Sequence, residues 1–359
     1  MQMPGPASDT RVRLIRLWIG CLAALVFAMV VVGGATRLTQ SGLSIVEWQP
    51  VTGVVPPLSE ADWQAEFDKY KTIPQYERVN RGMSLEEFKT IFWWEWSHRL
   101  LGRLVGIAFL LPFLWFLWRG FVDRRLGVAL TGIFALGAVQ GAVGWWMVAS
   151  GLTERVAVSQ YRLAFHLTLA CLIYAALVRT ADRVATVAPV VAPRRIGLGA
   201  SALLVLVLVQ IYLGALVAGL HAGLIYNTWP LIDGSVVPSL SSLLFDQPAW
   251  RNFFENPLTV QFDHRMVAYA LVAAALLHLA DVLRTMESRR LRTGAALLAV
   301  AIFAQATIGI ITLLASAPLA LAMLHQAMAL IVLTIATLHA SRATIMPASV
   351  PAGRLASGY

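Results

Sequence analysis

Four of the seven histidines occupy matching places in apolar parts of the chain. Each lies a short way inside the same side of a long hydrophobic segment, and the four are His98, His166, His264 and His325. An ionisable side chain inside a membrane span is costly and by default indicates function, and neutral imidazole is a common axial ligand of heme iron. A single membrane histidine often makes only a hydrogen bond between helices, but four at one depth favour ligation. The pattern predicts two heme sites, one between His98 and His166 and one between His264 and His325.

The residue four positions after each of these histidines is small, and the set is Gly102, Ala170, Ala268 and Ala329. Four residues are about one helical turn, so each small residue lies on the same face as its histidine. A flat macrocycle bound by the histidine can lie against that face without obstruction. Gly and Ala are also common where membrane helices pack together, so helix packing is the alternative interpretation.

Glu95 distinguishes the first pair of histidines from the second. It precedes His98 by three residues, on the same helical face, where a carboxylate can act as an acid, a base or an electrostatic stabiliser at the edge of a bound heme. The equivalent residue before His264 is Gln261, which cannot exchange a proton at useful pH. We therefore expect the first site to handle a substrate, with Glu95 as the catalytic residue, and the second to hold a permanent heme. A salt bridge to Arg99 is the alternative role of Glu95.

Three arginines lie close to the histidines in the sequence. Arg99 and Arg265 each directly follow a histidine, and Arg162 precedes His166 by about one helical turn. Guanidinium groups form strong, directional hydrogen bonds with carboxylates, so these arginines are candidates to bind the heme propionates. Extension of each arginine to the lipid headgroups is the alternative.

The composition predicts the membrane helices that must position these residues. The chain has 359 residues, of which 58% are hydrophobic and 13% are charged, and its mean hydropathy is +0.70. A membrane core of roughly 30 Å needs about 20 apolar residues per helix, and we count eight such stretches. The fold class is therefore an all-α polytopic membrane protein. The predicted spans are 17–36, 98–118, 126–148, 160–180, 197–219, 262–283, 294–314 and 319–339.

The two halves of the chain resemble each other in the order of their landmarks. The stretch from Glu95 to Arg99 resembles that from Gln261 to Arg265, and Gln140 with Gly144 resembles Gln305 with Gly309. Such a duplication predicts two pseudo-symmetric four-helix bundles, each with one heme site. The predicted segments are a cytoplasmic tail (1–16), an N-terminal half (17–183), a linker (184–196), a C-terminal half (197–341) and a second cytoplasmic tail (342–359).

Arginine placement predicts the orientation in the membrane. Arginines cluster before the first span, after each even-numbered span and between the second and third spans, and such clusters are retained on the cytoplasmic side. We therefore expect an inner-membrane protein with both termini in the cytoplasm. The formal net charge of +9 is explained by this topology and by anionic lipid, so it does not indicate nucleic-acid binding.

Two long loops are predicted on the outer side. The first, 37–92, contains an amphipathic stretch from Asp62 to Tyr70 and then Ser84-Leu85-Glu86-Glu87, a capping box that can start a helix carrying Glu95 and His98. The second, about 221–261, is rich in Pro, Ser, Asn and Trp and is expected to be irregular.

The remaining histidines and the two cysteines are not expected to do chemistry. His278 and His339 fall near the inner ends of spans and are predicted to be interfacial, while His221 lies beside the second outer loop. Cys21 and Cys171 both fall inside predicted spans, so we expect no disulfide.

Together these residues resemble the heme A synthases of bacterial and mitochondrial membranes, over nearly the whole chain. The resemblance is carried by Gly34-Ala35-Thr36-Arg37-Leu38-Thr39, Ser41-Gly42-Leu43-Ser44, Pro56-Pro57-Leu58, the stretch Glu95 to Gly102, Gln140-Gly141-Ala142-Val143-Gly144-Trp145, the stretch Phe262 to Arg265 and Leu324-His325-Gln326. Some members carry cysteine pairs in the outer loops, which this sequence lacks, so it is similar to the subgroup without them.

The resemblance implies an eight-helix enzyme that oxidises a methyl group of heme O by successive hydroxylation to the formyl group of heme A, for cytochrome oxidase assembly. It implies that His264 and His325 ligate a resident heme b, that His98 and His166 form the substrate heme site, and that Glu95 is catalytic. It also implies handover of substrate from the heme O synthase. The sequence shows no flavin, nicotinamide or iron-sulfur motif, so a separate electron donor is expected.

Two other functions are compatible with duplicated histidine-bearing bundles. A non-enzymatic cytochrome that carries electrons would hold both hemes permanently and would not need a glutamate on one side only. A transporter is also built from repeated bundles, but usually with Gly- or Pro-broken spans, which are not conspicuous here.

Overall fold

The computed structural model describes residues 6–184 and 190–345, and this part of the chain is almost entirely helical. The helices in chain order are α1 (Pro6–Leu38), α2 (Glu60–Tyr70), α3 (Pro74–Arg78), α4 (Leu85–Trp118), α5 (Arg124–Ala149), α6 (Gln160–Val184), α7 (Arg194–Gly219), α8 (Ala222–Ile225), α9 (Leu240–Leu243), α10 (Asn252–Glu255), α11 (Pro257–Thr285), α12 (Arg289–Leu314) and α13 (Leu319–Arg342). Two short 3₁₀ helices cover Thr52–Val54 and Ala249–Arg251.

Eight helices within the described ranges are long and apolar enough to cross a membrane, which confirms the predicted number of spans. They are α1, α4, α5, α6, α7, α11, α12 and α13. Each extends beyond its predicted span at one end or both. Helix α1 begins at Pro6, within the segment expected to be a tail. Residues 1–5 and 346–359 of the predicted tails, and 185–189 of the predicted linker, lie outside the described residues.

The predicted capping box at the start of α4 is confirmed. The Ser84 hydroxyl accepts from the backbone N–H of Glu87, and the Glu87 carboxylate accepts from the backbone N–H of Ser84. These bonds satisfy N–H groups that a helix start leaves without partners. Helix α4 therefore begins before the apolar stretch, in the first outer loop, and carries Glu95 and His98 on one continuous helix.

The eight long helices form two bundles of four. Helices α1, α4, α5 and α6 pack together in the N-terminal half, and α7, α11, α12 and α13 pack in the same way in the C-terminal half. The bundles meet where α6 contacts α7 and α13 and where α1 contacts α13. Apolar residues from both halves form one continuous core across this boundary.

Polar contacts also join the two bundles. The Gln326 amide of α13 donates to the Val30 carbonyl of α1 at 2.9 Å, and the hydroxyls of Tyr174 and Thr334 are 2.7 Å apart. Arg342 of α13 pairs with Asp182 of α6 at 3.0 Å. The halves are thus fixed to each other at several depths.

The end of the bundles that bears the two long loops is called the outer end below. In the first loop, α2 and α3 pack on the start of α4 around an aromatic core that includes Phe67, Tyr70 and Phe88. The second loop contains only short helices, in keeping with the irregular segment expected. At the opposite end, β1 (Val190–Ala192) and β2 (Ala343–Ile345) form a two-stranded parallel sheet, with Val190 opposite Ala343.

Candidate active site

The structure brings together the histidines that the sequence predicts to act in pairs. His98 of α4 and His166 of α6 lie close enough for an electrostatic interaction in the N-terminal bundle. His264 of α11 and His325 of α13 do the same in the C-terminal bundle. Each pair lies toward the outer end of its bundle, on the two helices that the repeat makes equivalent.

Each imidazole packs directly against a glycine of a neighbouring helix. A methyl carbon placed on the glycine would lie so close to the ring that the ring or the helix would have to shift. The distances from that methyl carbon to the ring Cε1 are 2.7 Å for Gly33 and His98, 3.0 Å for Gly144 and His166, 3.1 Å for Gly214 and His264, and 2.7 Å for Gly309 and His325.

Glutamine side chains hold three of the four histidines. The amide Nε2 donates to the backbone carbonyl of the histidine in each case: Gln140 to His166 at 3.0 Å, Gln210 to His264 at 2.9 Å and Gln305 to His325 at 3.0 Å. Gln140 and Gln305 are landmarks of the sequence repeat, but Gln210 was not predicted from it. The signal that could have found it is the spacing, since each glutamine lies four residues before a histidine-facing glycine.

The donor set of each pair fits a heme. The Nδ1 atoms of His98, His166 and His325 are buried without a hydrogen-bond partner, a costly state for an isolated imidazole. No group of three or more His, Cys, Asp or Glu side chains suited to a metal ion occurs in the described ranges. Two imidazoles suffice for iron when a porphyrin supplies the other four ligands.

Glu95 is buried beside His98 and fully hydrogen-bonded. Only 2% of the surface of this residue is exposed. One carboxylate oxygen accepts from the Ser44 hydroxyl and the Ile45 N–H, both at 2.8 Å, and the other accepts from Arg99 at 2.6 Å. The salt bridge that was the alternative role for Glu95 is therefore present. It fixes the carboxylate on the side of α4 that faces the first outer loop.

The equivalent residue in the other half has different surroundings. Gln261 is also buried, but its Oε1 has no hydrogen-bond partner. Because an amide carries no charge, this position needs no cation. The surroundings of the two histidine pairs thus differ in charge at one matched position, which is Glu95 in the first half and Gln261 in the second.

The three arginines expected near propionates contact main-chain carbonyls. Arg99 donates to Ile45 and Glu47 of the first loop at 2.7 and 2.8 Å. Arg265 donates to Tyr226 and Leu231 of the second loop, both at 3.1 Å, and its Nε is buried without a partner. Arg99 and Arg265 therefore tie each outer loop to the helix that carries a histidine.

Arg162 has a different environment. It donates to the Trp146 carbonyl at 2.6 Å, and its guanidinium lies 4.5 Å from the centre of the Trp146 ring. Both contacts are on α5, so Arg162 links α6 to α5 near His166.

His278 of α11 and His339 of α13, which were predicted to be interfacial, are buried and contact each other. They are 8% and 2% exposed, and their Nε2 atoms are 2.8 Å apart, a hydrogen-bonding distance. The apolar residues around them in α11 and α13 hid this contact, because the sequence does not give the rotation of one helix relative to another. His221 lies in the second loop, where its Nε2 is 3.5 Å from Arg37.

Comparison with known proteins gives consistent matches over nearly the whole chain. The family model described as cytochrome oxidase assembly protein matches residues 16–337. A heme A synthase of Rhodopseudomonas palustris (strain HaA2) is 60% identical over 334 residues, covering 93% of this chain and 91% of the relative. The heme A synthase of strain BisA53 is 55% identical and covers 99% of both chains. That of Bradyrhizobium sp. (strain ORS 278) is 56% identical and covers 98% of both.

Proposed function

The chain belongs to the family of cytochrome oxidase assembly proteins, and from that membership we propose that it is a heme A synthase, which oxidises a methyl group of heme O to the formyl group of heme A. The observation that carries the proposal is the difference between the two histidine pairs. A buried carboxylate, Glu95, lies three residues from His98, whereas the neutral Gln261 occupies the matched position near His264. One half is suited to reaction and the other to holding a cofactor.

In this proposal His264 and His325 would hold a resident heme b. Each ring packs against a glycine of a neighbouring helix, and both main-chain carbonyls accept hydrogen bonds from glutamines. When bound, the heme would supply one-electron chemistry. The protein contributes rigid ligands and a dry, apolar surrounding.

His98 and His166 form the substrate site, where they orient heme O beside Glu95. The carboxylate of Glu95 is held by Ser44, Ile45 and Arg99 before substrate arrives, so little reorganisation is needed when charge develops nearby. Its role is to take up a proton at a carboxylate oxygen or to stabilise positive charge at the reacting edge. Arg99, Arg162 and Arg265 are proposed to bind propionates in addition to the carbonyls that they already contact.

The arginine distribution supports an inner-membrane location with both termini in the cytoplasm. The outer loops then cover both heme sites from the side opposite the cytoplasm. A separate donor supplies electrons, and the heme O synthase is the expected source of the poorly soluble substrate.

The experiment that tests the function is extraction and chromatographic identification of the hemes in the purified protein. The protein is expressed alone and then together with a heme O source. We expect heme B in both samples, and heme O, hydroxylated intermediates or heme A only in the second. Two equivalents of unmodified heme B under both conditions would instead establish a two-heme electron carrier.

A further inference from the structure

A four-residue spacing recurs on the helix that faces each histidine of the two pairs. On α5, α7 and α12 a glutamine precedes the histidine-facing glycine by four residues, and on α1 a methionine takes that place. The four combinations are Gln140 with Gly144, Gln210 with Gly214, Gln305 with Gly309, and Met29 with Gly33. Helix α1 is therefore the exception.

Each of the three glutamines contacts its histidine twice. Besides the bond to the carbonyl, the amide nitrogen lies beside the imidazole: Gln140 Nε2 is 3.4 Å from His166 Nε2, Gln210 Nε2 is 3.1 Å from His264 Nδ1, and Gln305 Nε2 is 3.5 Å from His325 Nε2. We call this arrangement the glutamine clamp. It restrains the main chain and the ring of the histidine with one side chain.

Met29 cannot form this clamp at His98. A thioether has no hydrogen to donate, and the end of the Met29 side chain lies toward Gly102, where a methyl carbon on the glycine would be 3.2 Å from Met29 Cε. His98 still packs on Gly33, but its carbonyl receives no amide from α1. It is the one histidine of the four without a clamp among the contacts of the described residues.

The unclamped histidine belongs to the half that contains Glu95. We propose that Met29 makes the His98–His166 pair the exchangeable site, because a heme bound by one clamped and one unclamped histidine is released faster than one bound by two clamped histidines. Met29 and Gln210 are positioning residues that act through His98 and His264. The inference rests on the proposed function for the identity of the exchanged ligand, a substrate heme that enters and a product heme that leaves.

The test measures hemin release from the full-length protein in lipid nanodiscs. Protein that retains its resident heme is loaded with hemin, and transfer to excess apomyoglobin is followed by absorbance. The phase that disappears in His98→Ala reports on the first site. We expect Met29→Gln to slow this phase roughly twofold to tenfold, the effect of about one hydrogen bond, and Met29→Leu to leave it unchanged.

The reciprocal change provides a second measurement if Met29→Gln does not fold. Gln210→Met should accelerate release of the resident heme by a similar factor. Gln210→Glu changes the hydrogen bonds of the same side chain, and its release rate is compared with that of Gln210→Met. Slower hemin release in Met29→Gln cannot result from general destabilisation of the protein, because destabilisation would make release faster. Equal release rates in Met29→Gln and Met29→Leu, or an unchanged rate in Gln210→Met, would overturn the proposal.

These outcomes are separable from those of the heme extraction. If the expected changes in release occur but heme A is never formed, the clamp stands and the synthase function fails. If heme A is formed and the variants release hemin at the wild-type rate, the function stands and the clamp fails.

Discussion

At the scale of single residues, Glu95 combines a charge with near-complete burial. Four donor groups from Ser44, Ile45 and Arg99 surround its carboxylate. Two of these residues belong to the first outer loop, so the position of the carboxylate depends on the folding of that loop. The charge and the loop are thereby coupled.

Replacing Glu95 should separate reaction from cofactor binding. Glu95→Gln keeps the volume but removes the charge, and we expect heme A formation to fall by at least about a hundredfold, as for loss of a general acid or base. Heme content is the control, because resident heme b should remain in Glu95→Gln and be lost in His264→Ala or His325→Ala. Full activity in Glu95→Gln would show that the asymmetry between the halves has another purpose.

Residue-level features differed in how far the sequence predicted them. The four histidines and Glu95 were predicted as site residues from depth in the apolar segments and from comparison of the halves, and their roles stay predictions. The contact of His278 with His339 and the bond from Gln210 to His264 were not, because both depend on helix rotation, which hydropathy does not encode.

At the scale of elements, the approach of neighbouring helices is set by glycines facing the histidines. Gly309→Ala would place a methyl carbon 2.7 Å from His325 Cε1. We expect α12 to move from α13, with a loss of about 1–3 kcal/mol in stability and a lower content of resident heme. Gly132→Ala is the matched control, since nothing lies within 4 Å of the added carbon. Thermal unfolding and heme content of the two variants are compared, and equal values would contradict the role of the contact.

Two carboxyl groups of α2, those of Asp62 and Asp68, should make the first loop sensitive to acid. The Ser59 side chain and N–H lower the pKa of the Asp62 carboxyl from its ordinary 3.8, and Lys71 and Gln64 lower that of Asp68. A lowered carboxyl pKa stabilises the fold above the ordinary value, and this stability is lost as the pH falls through the folded pKa.

We therefore expect limited proteolysis of the loop to be constant from about pH 7 to pH 5 and to increase only below about pH 4, near the ordinary pKa of Asp. Asp62→Asn should raise cleavage at neutral pH. Cleavage that rises already between about pH 7 and pH 5 would point to groups other than these carboxylates.

Element boundaries were predicted where a local signal marks them. The sequence Ser84 to Glu87 contains its own capping chemistry, so the start of α4 could be read directly. The start of α1 at Pro6 could not, because polar first turns have no apolar periodicity.

At the scale of the whole molecule, the boundary between the halves combines an apolar core with a few polar pairs. Asp182 pairs with Arg342 across it at 3.0 Å, with side chains 10% and 32% exposed. We expect Asp182→Asn to lower stability by about 1 kcal/mol, since the pair is partly screened and Arg342 remains partly hydrated. A double-mutant cycle with Arg342→Gln measures the coupling. Additive effects of the two changes would show that the pair does not hold the halves together.

The duplication predicted the grouping of helices into two bundles but not how the bundles meet. Repeated landmarks identify equivalent helices, whereas the surfaces between halves have no counterpart within either half. That α1 contacts α13 is therefore visible only in the structure.

The bond from Gln326 to Val30 joins residues 296 positions apart. At a synthesis rate of about 5–20 residues per second, α1 is in the bilayer for roughly 15–60 s before α13 is made. During biogenesis the surface of the N-terminal bundle that later contacts α13 is therefore exposed to lipid or to an insertion factor. Both halves therefore reach their final packing only when α13 is inserted, so a premature stop near the end of the chain should damage both.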